Sequence, residues 1–217
     1  IKAFCGRHGG SACTSSNAPR VIDWVFKQGK KLFFLPDEHL GVNTAHDLGI
    51  GDDEMAVYDP KQPNGGLSPS IIERAKVVVW KGFCHVHTAF KPENIQDVRS
   101  HFPHAKIIVH PETPKETTRL ADAHGSTSQI IEYVRNAPNG STIIVGTELN
   151  LVQRLAEEQK DRVTVRPLRS SLCTNMAMTT EEAILENLQQ WPAKNLIRVD
   201  REIAVDARKC LDQMLAL

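Results

Sequence analysis

The apolar positions of this chain fall into short continuous runs instead of alternating with polar ones. Lys31-Leu32-Phe33-Phe34-Leu35, Val77-Val78-Val79-Trp80, Lys106-Ile107-Ile108-Val109, Thr142-Ile143-Ile144-Val145 and Val163-Thr164-Val165 are rich in β-branched or aromatic residues. A strand with one wet face alternates, whereas a strand apolar at successive positions is covered on both faces, as in a parallel sheet between helices. Stretches with helical spacing separate the runs: Pro19 to Lys27, Glu116 to Ala123, Ser128 to Arg135, and a last helix from about Ile203 to Leu217. The pattern predicts an α/β fold.

One arrangement occurs twice. Thr14-Ser15-Ser16 opens a helix that ends near Gly29, and a strand closing on Leu35-Pro36-Asp37-Glu38 follows; Gly125-Ser126-Thr127-Ser128 opens a helix that ends near Pro138, and a strand closing on Val145-Gly146-Thr147-Glu148 follows. A later cysteine completes each unit, Cys84 and Cys173. Two related αβ units, each delivering one cysteine to a common place, are the expectation. Ile1 to Gly6 reads as the middle of an element, so a further part of the natural protein is expected before it.

Composition narrows the function classes. The 217 residues carry 26 Lys+Arg against 26 Asp+Glu, a balance that provides no field for a polyphosphate backbone, so nucleic acid is a poor candidate partner. No apolar run is long enough to cross a bilayer and the first residues lack a signal-peptide layout, so no membrane is expected and the reading is cytoplasmic. The five cysteines are odd in number and scattered in a chain too large to need disulfide staples, which favours thiols that are free or bound to metal.

Several strand ends carry reactive groups, and in open α/β sheets ligands collect at the carboxyl ends of strands. Cys84 and His87, spaced C-x-x-H, follow the run ending at Trp80; His110-Pro111-Glu112 follows Val109, where residues two apart in extended chain point the same way. Cys173 follows the last run, in Ser171-Leu172-Cys173-Thr174-Asn175-Met176. Thr14-Ser15-Ser16-Asn17 and Gly125-Ser126-Thr127-Ser128 offer hydroxyls and unpaired backbone N–H groups at helix starts, suited to phosphate or carboxylate, although such residues are common caps without any ligand. Leu35 to Asn43 reads as a polar turn, with Gly41 allowing the bend and Asp37 or Asn43 bonding backbone; Cys5, Cys13 and Cys210 read as packing residues. Two rivals stay open on these residues: a zinc-dependent hydrolase or lyase using Cys84, His85 and His87, and a non-catalytic anion-binding module.

In order and spacing, Ala3-Phe4-Cys5-Gly6-Arg7-His8-Gly9-Gly10, Cys13-Thr14-Ser15-Ser16-Asn17-Ala18, Leu35-Pro36-Asp37-Glu38-His39-Leu40-Gly41, Gly82-Phe83-Cys84-His85-Val86-His87, Val109-His110-Pro111-Glu112, Gly125-Ser126-Thr127-Ser128, Gly146-Thr147-Glu148 and Cys173-Thr174-Asn175-Met176 resemble the quinolinate synthase family along essentially the whole chain. The resemblance implies repeated three-layer αβα units with parallel sheets, pseudo-threefold in the complete fold. Residues 1–87 would be the second unit, truncated at its start, 88–175 the third, and 176–217 a return segment ending in a helix. It implies a transferase of NAD biosynthesis that condenses iminoaspartate with dihydroxyacetone phosphate, holds a 4Fe-4S cluster and is linked to aspartate oxidase. Cys84 and Cys173 take the places of two cluster ligands, and the third is expected before residue 1. Glu112 falls on a general acid/base, His110 and His87 on catalytic, substrate-contacting histidines, and Ser15, Asn17, Ser126 and Thr127 on residues holding carboxylate or phosphate. The chain made alone is expected to be inactive. The apolar face of its last helix, Ile203, Ala207, Cys210, Leu211 and Met214, is expected to lie without a partner.

Overall fold

In the computed structural model, which describes residues 1–29, 31–191 and 195–217, each of the five apolar runs forms a strand. In chain order the elements are α1 (Lys2–Arg7), α2 (Ala18–Lys27), β1 (Leu32–Phe34), α3 (Glu38–Asp47), β2 (Met55–Tyr58), α4 (Pro69–Arg74), β3 (Val77–Trp80), α5 (Pro92–His101), β4 (Lys106–Val109), α6 (Lys115–Thr118), β5 (Ala123–His124), α7 (Thr127–Arg135), β6 (Thr142–Gly146), α8 (Leu149–Gln159), β7 (Thr164–Pro167), α9 (Glu181–Gln189) and α10 (Arg201–Ala216). Thr14–Ser171 form one compact unit, which contains both sheets; Ile1–Cys13 and Leu172–Leu217 form another.

Both sheets are wholly parallel, with strand orders β1-β3-β2 and β5-β4-β6-β7. The continuous apolar runs have the predicted cause. In the second sheet, Ile108, Ile143, Val145 and Val165 pack on Ile130 and Val134 of α7 and Val152 and Leu155 of α8. The opposite face presents Ile107, Val109 and Ile144 to Phe90 and to Ile95 and Val98 of α5. Two helical layers thus sandwich the sheet, and every residue of β4 beyond Lys106 is buried. The two halves share the expected plan: α2 leads to β1 and α7 to β6, β3 lies beside β1 as β7 lies beside β6, and Cys84 follows β3 as Cys173 follows β7.

Two segments differ from their sequence reading. The helix expected over Glu116 to Ala123 is only α6, because the chain is drawn back into the sheet. Asp122 accepts a hydrogen bond from the Ile107 backbone N–H at 2.8 Å and returns one from its own N–H to the Ile107 carbonyl at 2.9 Å, so Ala123–His124 pair with β4 as β5. The segment read as a polar turn up to Asn43 is the start of α3. Asp37 caps that helix, accepting from Leu40 N–H at 2.7 Å. Gly41 therefore serves close packing and not a bend: a Cβ there would sit 2.7 Å from Val79 Cγ1 and 2.8 Å from Phe34 Cδ1. Two residues on, buried Asn43 donates through Nδ2 to the carbonyls of Pro111 and Thr113, 2.8 Å each, and so fixes α3 against the loop after β4.

In the other unit α1 packs against α10. Arg7 pairs with Asp206 at 3.2 Å, Ala12 N–H donates to the Cys210 carbonyl at 3.3 Å, and Cys210 is fully buried. This corrects the expectation for the last helix. Its face has a partner around Cys210, Ala207, Leu211 and Met214 are half-buried, and only Ile203, 51% exposed, stays open to solvent. Among the described residues no helix is long and apolar enough to cross a membrane.

The contact between α3 and the first sheet yields a stability test. Gly41→Ala is expected to destabilise the chain by about 1–3 kcal/mol through overpacking against Phe34 and Val79. That outweighs the roughly 1 kcal/mol that alanine gains over glycine inside a helix. A urea titration should show a lower midpoint at unchanged slope, and a midpoint at or above that of the parent would refute the packing argument.

Candidate active site

The site is built on strand ends. β3 stops at Trp80, and the chain then passes through Gly82, where a Cβ would lie 2.2 Å from the Pro36 carbonyl oxygen. The Gly82 carbonyl accepts from Glu38 N–H at 2.9 Å, and Cys84 N–H donates to Asp37 Oδ2 at 3.1 Å. One Asp37 carboxylate thus caps α3 and anchors the Cys84 peptide. After Cys84 the chain tightens into a turn, with the Cys84 carbonyl accepting from the backbone N–H groups of His87 and Thr88 and from the Thr88 hydroxyl. Buried Ser171 donates to the Val86 carbonyl at 2.8 Å and fixes the far side of this turn.

His87 is aimed by the turn at groups from two other strands. Its Nδ1 lies 3.0 Å from Glu112 Oε2, in the loop after β4, and its Nε2 lies 3.3 Å from the Thr147 hydroxyl, at the end of β6. His110 stacks on the same ring, with centroids 4.1 Å apart and planes at 12°. Cys84, His87 and Glu112 bring their ligand atoms within 4.8 Å of one another. His110 and Glu112 do reach one place, yet not through extended chain: Pro111 and Glu112 form a turn, closed by Thr113 N–H on the His110 carbonyl at 2.9 Å. That turn lets Glu112 N–H donate to His110 Nδ1 at 3.3 Å. With Nδ1 an acceptor, the proton of the neutral His110 ring resides on Nε2.

The charges follow from these contacts. The hydrogen bond from His87, helped by the backbone N–H groups of His87 and Val86, outweighs burial and lowers the Cys84 thiol toward thiolate. Burial opposes the charged form of His87, but hydrogen bonds to Cys84 and Glu112 and their negative charges prevail and raise it to about 9. Burial likewise opposes ionisation of Glu112, and the His87 hydrogen bond overrides it, so the carboxylate stays below its ordinary range. Burial and the adjacent His87 charge push His110 down to about 4. At neutral pH an imidazolium therefore sits between a carboxylate and a thiol whose ionisation it favours, with an uncharged imidazole stacked on it.

The other expected site residues are distributed differently. Ser126 and Asn17 are the N-caps of α7 and α2. Ser126 is buried and exchanges capping bonds with Gln129, while Asn17 Oδ1 accepts from Thr14 N–H at 2.7 Å; Ser15 is half-buried and Thr127 exposed. Their hydrogen bonds are local to the helix starts. Cys173 belongs to the other unit, half-buried at the head of a turn in which its carbonyl accepts from Ala177 N–H at 2.9 Å. His85, weighed as a zinc ligand, is exposed, and Glu112 is the third donor beside Cys84 and His87. The thiols of Cys5, Cys13 and Cys210 lie near one another in the unit formed by Ile1–Cys13 and Leu172–Leu217; burial first, then Cys210 and Cys5, push Cys13 up to about 11, as suits packing residues. Thr147 was not singled out as a site residue, although its place in Val145-Gly146-Thr147-Glu148 matches that of Asp37 in Leu35-Pro36-Asp37-Glu38 of the repeat.

The family profile described as quinolinate synthetase A protein (NadA) matches residues 1–216. Curated relatives named quinolinate synthase include proteins of Acidobacterium capsulatum, 44% identical over all of this chain and 60% of the relative, and of Corynebacterium glutamicum, 42% identical over all of this chain and 56% of the relative. That of Bacillus subtilis is 42% identical, again over all of this chain and 60% of its own length. The chain thus spans somewhat over half of the length of the curated relatives it matches. On a match that runs through every segment of the site, the chain belongs to the quinolinate synthetase A family.

Proposed function

We propose that the whole protein carrying this chain is a quinolinate synthase, a transferase that condenses iminoaspartate with dihydroxyacetone phosphate to quinolinate, releasing phosphate and two waters on the route to NAD. The observation that supports this most is the meeting of Cys84, His87 and Glu112 within 4.8 Å, with His110 stacked on His87. A condensation that ends in eliminations needs a base, a proton donor and a Lewis acid. Glu112, held ionised by His87, takes protons from substrate carbon or nitrogen. The Nε2–H of neutral His110 donates to a substrate oxygen, and His87 orients Glu112 and returns protons to departing water. Hydroxyls and backbone N–H groups at the starts of α2 and α7, through Ser15, Asn17, Ser126 and Thr127, hold the carboxylates and the phosphate.

Residues 1–87 and 88–175 act in this reading as two αβα units, with 176–217 as the return segment. Cys84 and Cys173 hold a 4Fe-4S cluster together with a third cysteine of the whole protein. The donor chemistry suits this: Cys84 is a half-exposed thiol biased toward thiolate by N–H···S bonds, as cluster ligands are. When bound, the cluster supplies a Lewis-acidic iron with a position open to substrate. Aspartate oxidase is the proposed source of iminoaspartate, and the cytoplasm the proposed location.

Two outcomes test this in the full-length protein. Cys84→Ser and Cys173→Ser should each abolish or strongly reduce iron binding, while Cys5→Ser and Cys210→Ser leave it intact; a full cluster in Cys173→Ser would sink the ligand assignment. Glu112→Gln keeps the shape but not the base, so turnover should fall by roughly 10²-fold or more with the cluster's visible spectrum unchanged. Near-normal turnover would remove Glu112 from the mechanism. The 217-residue chain made alone should form no quinolinate.

A further inference from the structure

The unit Thr14–Ser171 contains one cysteine, Cys84, and so cannot hold an iron-sulfur cluster by thiolates of its own. It nevertheless assembles a complete mononuclear donor set. A thiol, an imidazole and a carboxylate already lie within 4.8 Å of one another. A tetrahedral Zn²⁺ with bonds of about 2.0–2.3 Å separates its ligand atoms by about 3.3–3.8 Å, so small side-chain rotations suffice. His87 Nδ1 and Glu112 Oε2 are 3.0 Å apart, held together by a shared proton where a dication would sit.

The surroundings match those that tune metal ligands. With Nδ1 turned to the metal, Nε2–H of His87 faces the Thr147 hydroxyl at 3.3 Å, the outer hydrogen bond that fixes a ligating imidazole. Asp37 and the Thr88 and His87 N–H groups hold the Cys84 peptide. Thiolate, carboxylate and neutral imidazole together carry two negative charges, which a divalent ion balances as the bridging protons leave. We propose that Cys84, His87 and Glu112, with Thr147 behind His87, form a mononuclear site for a borderline-soft divalent cation of the Zn²⁺ type. Its fourth position is open to water, and it is occupied in place of the cluster when the cluster is absent. The proposal does not depend on the quinolinate synthase reading, because all its ligands belong to one compact unit.

The test uses the full 217-residue chain, purified anaerobically, stripped with a chelator and titrated with Co²⁺ and then Zn²⁺. One equivalent of Co²⁺ should bind with a near-ultraviolet thiolate-to-cobalt charge-transfer band, and one equivalent of Zn²⁺ should displace it. Cys84→Ser should abolish the band, and Thr147→Val should weaken binding about 10- to 100-fold. Glu112→Gln, nearly isosteric, should weaken it at least as much with the far-ultraviolet circular dichroism unchanged. Cys173→Ser should bind Co²⁺ like the parent, which separates this site from a cluster that needs both cysteines. Absence of saturable one-equivalent binding, a band that survives Cys84→Ser, parent affinity in Glu112→Gln, or loss of the band in Cys173→Ser would each overturn the proposal.

Discussion

The His87 ring is the interaction on which the site's geometry depends. It hangs on the loop after β3, yet its two nitrogens are engaged by Glu112 after β4 and Thr147 after β6, so one side chain ties the first sheet to two strands of the second. A buried imidazole with both nitrogens partnered has a single orientation, and that orientation sets where the Glu112 carboxylate and the Cys84 sulfur can sit. The stacked His110 covers one face of the ring.

Supporting contacts make that orientation affordable. Asn43 and Asp37, both on or next to α3, reach different loops of the site: Asn43 the carbonyls around Glu112, Asp37 the Cys84 peptide. The helix can approach closely enough to do both because Gly41 presents no side chain to Phe34 and Val79. Loop geometry at the site is therefore set by the packing of a helix against the first sheet, several residues from any reacting group. Burial works against the charges of Asp37, Glu112 and His87 alike, and hydrogen bonds from fixed neighbours offset it where the site needs an ion.

Much of this was legible in the sequence, for a physical reason. β3, β4 and β6 lie inside their sheets, so their residues are apolar at successive positions and the runs stand out. Cys84, His87, His110 and Glu112 were found because they follow such runs directly. β2 and β5 were not visible: each lies at a sheet edge, β5 has only two residues, and both follow acidic residues that break any run. α3 was misread as a turn because its buried positions are Leu40, Gly41, Asn43, Thr44 and Ala45, mostly small or polar, which leaves no apolar stripe of helical period. The second role of Asp37 and the position of Thr147 were beyond sequence reading, since both act on residues tens of positions away through contacts that exist only once the sheets are packed.

How the thiols are divided has a consequence for assembly. Cys84 is preorganised within one unit, with its peptide, its imidazole partner and its carboxylate in place, whereas Cys173 belongs to the other unit. The proposed cluster takes thiolates from distant parts of the chain, so its binding free energy includes the free energy of ordering them around it. The single divalent ion proposed above needs only donors that the unit Thr14–Ser171 already provides. On the proposed reading, ordering entropy favours the mononuclear ion, whose three donors already lie together, over a cluster whose ligands have still to be brought together. On the two metal proposals made above, the order in which metal and protein segments arrive decides which inorganic group the Cys84 loop carries.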